Sequence, residues 1–311
     1  MDSRLSVILP ALLALSACAV TPKHISVMSL DLPELLPVRN FVANTDYTDA
    51  FSLSPEGDKL VYKGVSRLRP AILWRDVEGT SETAIRFRKD SPWPFWAANN
   101  RHILYVADDS GRENLHVYAI DTDSSDKVAV DLTPYPNTRA WVTHVPGKAS
   151  NLIFVMHNRR DATRFDLYSI DLITREETLL FENTDNVLSL LIDDEGSVRA
   201  RLRQHDTTRT LEVPDGTGWR SLGSATVFDQ LWPIDLSADG QALYAMSNVG
   251  RDLRAFMSID LGSGEQRVLY EHDQVDVDGV LLSPVDRKPL LAYSSPDYPE
   301  LHFFDKTLEG Q

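Results

Sequence analysis

Six times along the chain an aspartate closes an alternating, apolar-rich segment, at Asp76, Asp121, Asp171, Asp215, Asp260 and Asp305, with spacings of 45, 50, 44, 45 and 45 residues. A repeat of about 40–50 residues made of several short strands cannot bury its own apolar surface, and stacking successive copies is how it does so. The period therefore predicts an all-β chain folded as a β-propeller of four-stranded blades. The aspartate also has a local reason to recur: its short side chain accepts bonds from backbone N–H groups just ahead and starts the next turn.

A second marker precedes the first in several units. Ser54-Pro55-Glu56-Gly57-Asp58-Lys59 leads into Leu60-Val61-Tyr62, and Ser237-Ala238-Asp239-Gly240-Gln241 leads into Ala242-Leu243-Tyr244. Asp193-Asp194-Glu195-Gly196 and Ser283-Pro284-Val285-Asp286 occupy the same place in other units. These read as hairpin turns, in which glycine supplies positive φ and the acidic side chain holds the bend. Unit two then reads as strands Phe95–Asn99, His102–Ala107, Asn114–Asp121 and Lys127–Thr133. Glu176–Phe181 and Gln266–Tyr270 are the outer strands expected of units three and five. In unit four, Arg199, Arg201 and Arg203 alternate with Val198, Ala200 and Leu202, which predicts a strand with one solvated face. After Asp305 too few residues remain for an outer strand, so six blades are expected with the last incomplete, from a six- to seven-bladed parent.

The N-terminus carries a different signal. Arg4, the apolar run Val7–Leu15, and Ser16-Ala17 before the lone cysteine, Cys18, have the layout of a cleaved secretory leader. The run is too short to span a bilayer. Leu15-Ser16-Ala17-Cys18 resembles the lipobox of bacterial lipoproteins, in which the cysteine is acylated and becomes the mature N-terminus. Several acyl chains at roughly 0.8 kcal/mol per buried methylene anchor such a protein firmly. With Ala19 rather than aspartate next, the expectation is an outer-membrane anchor facing the periplasm of a Gram-negative bacterium. The chain thus divides into residues 1–17 as leader, 18–44 as tether and lead-in, and 45–311 as propeller. A net charge of −15, spread along the chain, makes nucleic acid and anionic lipid poor partners, so membrane contact is expected through the anchor alone.

Phe95-Trp96-Ala97-Ala98-Asn99-Asn100-Arg101-His102-Ile103-Leu104-Tyr105-Val106, followed by Asp109-Ser110-Gly111-Arg112-Glu113-Asn114-Leu115-His116-Val117-Tyr118, resembles the propeller of prolyl oligopeptidase-family serine peptidases. It is most similar to the acylaminoacyl-peptidase and dipeptidyl-aminopeptidase branch. Asp131-Leu132-Thr133-Pro134 and Asn158-Arg159-Arg160-Asp161 fit the same pattern, and the Ser-Pro-Glu-Gly turns resemble a broader class that includes the TolB propeller. The likeness covers residues 45–305. It implies a propeller that covers a peptidase active site and admits peptides while excluding folded proteins. Members of that family continue into an α/β-hydrolase domain marked by G-x-S-x-G. Gly262-Ser263-Gly264 and Gly223-Ser224-Ala225 lack that spacing, so no hydrolase domain and no catalytic residue are expected in this chain.

Individual residues support few sharper readings. The eight histidines show neither HxxxH spacing nor a cysteine nearby, so no metal site and no cofactor are expected. Ser54 and Ser110 have no histidine in a constant relation to them, and His116 lies on an alternating strand as a packed or edge residue. Glu176-Glu177 resembles the paired glutamates with which dipeptidyl peptidases grip a substrate's amino terminus, but opening an outer strand after a turn it is expected to be a solvated strand edge. At least four of Trp74, Trp93, Trp96, Trp141, Trp219 and Trp232 are expected to pack between sheets. Asp109, Arg112 and Glu113 sit in a loop at one end of the ring and are candidate contacts for a peptide substrate or a hydrolase domain. A TolB-like scaffold binding another envelope protein through the ring face is the competing reading.

Overall fold

Alternate residues of each strand face opposite sides of its sheet, and here both sides are apolar, so a sheet buries both faces only between two others. The computed structural model describes residues 48–310 except 88–91, 109, 110, 112, 148 and 285. Blade one comprises β1 (Asp49–Leu53), β2 (Lys59–Ser66), β3 (Arg69–Asp76) and β4 (Thr83–Arg86). Blade two comprises β5 (Phe95–Trp96), β6 (His102–Ala107), β7 (His116–Asp121) and β8 (Ala129–Asp131). Blade three holds β9 (Ala140–His144), β10 (Leu152–Asp161), β11 (Arg164–Asp171) and β12 (Glu177–Phe181). Blade four holds β13 (Val187–Ile192), β14 (Val198–His205), β15 (Thr208–Asp215) and β16 (Gly218–Thr226). Blade five holds β17 (Leu231–Leu236), β18 (Ala242–Ser247), β19 (Ala255–Asp260) and β20 (Gln266–Tyr270). Blade six has three strands, β21 (Gly279–Leu282), β22 (Pro289–Ser294) and β23 (Glu300–Phe303). Each sheet is an antiparallel meander in chain order, and the only helix among the described residues is the 3₁₀ turn Lys306–Leu308. The shortened sixth blade and the propeller ring agree with the sequence period, while β5, β7 and β8 are shorter than the pattern predicts.

The core lies in the seams between blades. Val61, Ile72 and Trp74 of blade one meet Trp96, Ile103 and Ile120 of blade two. Blade three shows the alternation directly. Ile153 and Val155 pack toward Leu104 and Val117 of blade two, whereas Phe154 and Met156 pack toward Leu190 and Ile192 of blade four. Leu202 and Leu211 meet Leu236 and Leu243, and Met246 and Phe256 meet Val277 and Ala292. On the remaining faces of the end blades, apolar side chains stay in solvent: Phe51 and Leu53 are 60% exposed, and Leu281 and Leu301 are 52% and 53% exposed.

The recurrent aspartates behave largely as the turn chemistry requires. Asp171 Oδ1 accepts from the N–H groups of Ile173 and Thr174, both at 2.8 Å, and Asp260 Oδ1 accepts from those of Gly262 (3.0 Å) and Ser263 (2.7 Å). Asp305 does the same for Thr307, and Asp121 for Asp123. Asp121 also takes a two-pronged contact from Arg101, and that guanidinium holds its carboxyl down at about 2. At Asp215 a two-residue hairpin with Gly216 at φ +58° closes the strand instead.

Two sequence expectations need correction. The arginine face of β14 is covered rather than solvated, because Arg201 is buried between Glu212 of β15 and the Trp219 ring of β16. Its Nε donates to Glu212 Oε2 at 2.7 Å, its guanidinium lies 4.0 Å from the ring centroid, and Arg203 donates to Glu212 Oε1 at 3.0 Å. Glu177 is likewise no free strand edge: its carboxylate meets Tyr135 Oη at 3.1 Å and His157 Nε2 at 3.2 Å, with His157 wholly buried. Strand periodicity assigns a face to each residue but does not say which distant side chain covers that face.

Burial pushes the Glu212 carboxyl up, yet Arg203 and Arg201 together hold it below its ordinary value. A depressed folded-state pKa stabilises fully above the unfolded value of about 4.3 and is lost as pH falls through the folded value. Glu212→Ala, which strands Arg201 in the interior, is expected to cost about 3–5 kcal/mol in denaturant melts at neutral pH. The difference from wild type should shrink as the pH is taken below that unfolded value.

Candidate functional site

The first turn of each blade, joining its innermost strand to the next, lies at the same end of the ring. In blade one Ser54 N–H donates to Lys59 O (2.9 Å), Ser54 Oγ donates to Asp58 Oδ1 (2.7 Å), and Gly57 takes φ +74°. Blade five repeats this, with Ser237 Oγ donating to Asp239 Oδ1 at 2.7 Å and Gly240 at φ +64°. In blade four Asp193 closes the turn and Gly196 takes φ +84°, pressed so closely on blade three that a Cβ there would lie 2.5 Å from Phe154 Cε1. Blade six lacks the glycine: Arg287 itself takes φ +54°, and its N–H donates to Ser283 O at 2.8 Å.

Polar bonds join these turns from blade to blade. Asn100 Nδ2 of blade two donates to Asp58 Oδ1 of blade one at 3.1 Å, and Asn99 Nδ2 donates to Asn151 Oδ1 of blade three at 3.1 Å. Arg199 of blade four donates to Gly240 O of blade five at 3.2 Å. The densest junction is Asp194. Its Oδ1 lies 2.8 Å from His144 Nε2 of blade three and 2.7 Å from Arg287 Nη2 of blade six, while Oδ2 accepts from Gly147 N–H at 3.2 Å. Partial burial pushes the Asp194 carboxyl up, but His144 and Arg287 outweigh it and hold the group below the usual carboxylate range. Arg287 also reaches toward Asp235 of blade five, at 3.9 Å.

Around this junction are two cavities. One, of about 460 Å³, is bordered by Gly147, Asp194, Ser237, Asp239, Pro284 and Arg287. The other, of about 640 Å³, is more apolar and is bordered by Leu53, Pro55, Trp96, Pro146, Gly147 and Pro284 among others. Between them they draw on all six blades, so together they form one mouth of the central axis.

Of the residues singled out in the sequence, Asp109 and Arg112 lie outside the described residues, as do Ser110 and Cys18. Glu113 is held in place by its backbone, at φ +61°, with its N–H on Asp108 Oδ2 and its carbonyl accepting from Arg139 Nε at 3.1 Å. Its side chain is 87% exposed, with Oε2 3.5 Å from Arg139 Nη2. This loop joins the second and third strands of its blade and lies at the end of the ring opposite Asp194. Ser54 is a turn residue, and His116 is bonded to Asp131 at 2.7 Å. Trp74 and Trp96 are buried, Trp141 packs between blades three and four, Trp219 meets Phe181 of blade three edge-on, and Trp93 and Trp232 are exposed. No group of three or more His, Cys, Asp or Glu side chains among the described residues converges as a metal site does. The Asp194 junction leaves no trace in the sequence because its partners stand 50 and 93 residues away.

Fold and turns define a six-bladed β-propeller with a polar-bonded axial mouth. The chain is 32% identical over 198 residues to dipeptidyl aminopeptidase BIII of Pseudoxanthomonas mexicana, a match covering 62% of this chain and 28% of that one. It thus matches little more than a quarter of the relative's length. Among solved structures, the Pyrococcus horikoshii acylaminoacyl peptidase superposes with a TM-score of 0.53 at 14% identity, covering 83% of this chain and 44% of its own. A Mycobacterium tuberculosis puromycin-hydrolyzing peptidase gives 0.51 at 13% identity, covering 80% and 41%. No family model matches the chain. The chain is thus similar in sequence to part of a dipeptidyl aminopeptidase, and it shares a fold with part of these solved peptidases.

Gly196 fixes the turn that carries Asp194, so Gly196→Ala tests how tightly that turn is held. A side chain at positive φ costs about 1–2 kcal/mol, and overpacking against Phe154 adds about 1–3 kcal/mol. Chemical denaturation should show a loss of about 2–5 kcal/mol, against about 1–2 kcal/mol for Gly57→Ala, where φ is also positive but a Cβ meets nothing within 4 Å.

Proposed function

We propose that this chain is the substrate-gating propeller of a prolyl oligopeptidase-like serine peptidase, non-catalytic by itself. The observation that carries this reading is the 32% identity to a dipeptidyl aminopeptidase over 198 residues. A ring supports such work in a simple way: placed over an active site, it admits what fits through the axis and turns away folded chains. Peptide bond cleavage would then fall to an α/β-hydrolase domain, whose nucleophile elbow has no counterpart in this sequence. The apolar side chains exposed on blades one and six, Phe51, Leu53, Leu281 and Leu301, support a ring that works against further protein surface.

We further propose that the protein is a lipoprotein anchored through Cys18 to the outer membrane and facing the periplasm. The support is the Leu15-Ser16-Ala17-Cys18 sequence behind a short apolar run.

Purified protein should show no turnover of chromogenic dipeptide or acyl-amino-acid substrates that a serine-directed inhibitor abolishes; such turnover would overturn the non-catalytic reading. For the anchor, cells fed radiolabelled palmitate should label the wild type, and Cys18→Ser should lose that label and leave the membrane fraction.

A further inference from the structure

Strand pairing sets one residue directly across from the closing aspartate of a blade. Lys59 stands opposite Asp76, Leu152 opposite Asp171 and Ala242 opposite Asp260, but His102 stands opposite Asp121. The first three reach solvent, whereas His102 is only 4% exposed. It shares a strand face with Leu104, which packs toward Ile153 and Val155, so the imidazole enters the seam between blades two and three. Burying such a ring costs free energy unless its nitrogens are bonded.

One nitrogen is bonded. Asn99 Oδ1 accepts from the N–H groups of Arg101 and His102, both at 3.1 Å, which turns its amide nitrogen toward the imidazole. Asn99 Nδ2 then donates to His102 Nδ1 at 2.9 Å. Nδ1 is therefore an acceptor, and the proton of the neutral ring sits on Nε2. Burial pushes the imidazole below its ordinary value, which favours that neutral form. Nε2 has no hydrogen-bond partner among the described residues.

The ring is a wall of a cavity of about 110 Å³ in this seam. Val130, Leu132 and Leu172 form its apolar side, and Arg101, Asp121 and Arg175 its polar side. Asp121 is already engaged, because both its oxygens take Arg101 and Oδ1 also accepts from the Asp123 N–H. The Arg175 guanidinium has neither an ion pair nor a hydrogen bond among the described residues. Two donors are thus unspent, and the one carboxylate of the lining is taken. Such a lining suits an oxygen acceptor with an apolar remainder. Against a water's share of about 30 Å³, the cavity holds a molecule of about four or five non-hydrogen atoms.

We propose that this cavity binds a short aliphatic carboxylate, whose oxygens accept from His102 Nε2–H and Arg175 while its hydrocarbon end lies on Val130, Leu132 and Leu172. A free amino acid is a poorer fit, because its ammonium group finds Asp121 already paired with Arg101. The site belongs to the seam and does not depend on the peptidase assignment.

Propionate titrated into the full chain carrying ¹⁵N-labelled histidine tests the site. The His102 Nε2 resonance, identified by its loss in His102→Gln, should shift saturably with a Kd of about 1–10 mM. Arg175→Gln, a change to an exposed side chain, should weaken binding about tenfold, and alanine should bind wild type about tenfold more weakly than propionate. Arg267→Gln, on the exposed outer strand of blade five, should bind as wild type does. No saturable shift up to roughly 100 mM, ten times the weakest expected Kd, would overturn the site. So would equal propionate affinity in Arg175→Gln and wild type, or equal affinity for alanine and propionate.

Discussion

The structure depends on apolar burial between sheets rather than within them. A four-stranded meander with Ile153 and Val155 on one face and Phe154 and Met156 on the other cannot shield either face alone. Blades two to five therefore each take two neighbours, and blades one and six keep one apolar face in solvent. The remaining features of the fold answer problems that this packing creates. Innermost strands brought close to the axis expose turns carrying acidic side chains, and those turns must be bonded to one another across blade boundaries.

The sequence made much of the fold legible because propeller blades are local. All four strands of a blade fall within one period, the closing aspartate bonds N–H groups two or three residues ahead, and glycine marks the turn before it. What escaped reading was contact at a distance. Arg201 alternates with apolar neighbours just as a solvated residue does, and only the folded sheet brings Glu212 and Trp219 onto it. Glu177 opens an outer strand with an exposed-looking pattern, yet Tyr135 and His157 reach it from elsewhere in the blade and its approach. Asp194 read as one acidic residue of a turn; its partners come from two other blades.

The polar clusters divide by consequence. The Glu212 group lies inside one blade, where removing one member leaves a buried charge, and its role is structural. The Asp194 group spans blades three, four and six at a mouth, outside the apolar seams.

The central claim, that the ring gates rather than cleaves, is tested most directly by transplanting it. Residues 45–311 would replace the matching propeller of the Pseudoxanthomonas mexicana dipeptidyl aminopeptidase, and hydrolysis of a short peptide would be compared with that of a folded protein bearing the same N-terminal sequence. The account predicts a chimera that cleaves the short peptide and spares the folded protein. A folded chimera that cleaves both at similar rates would contradict it.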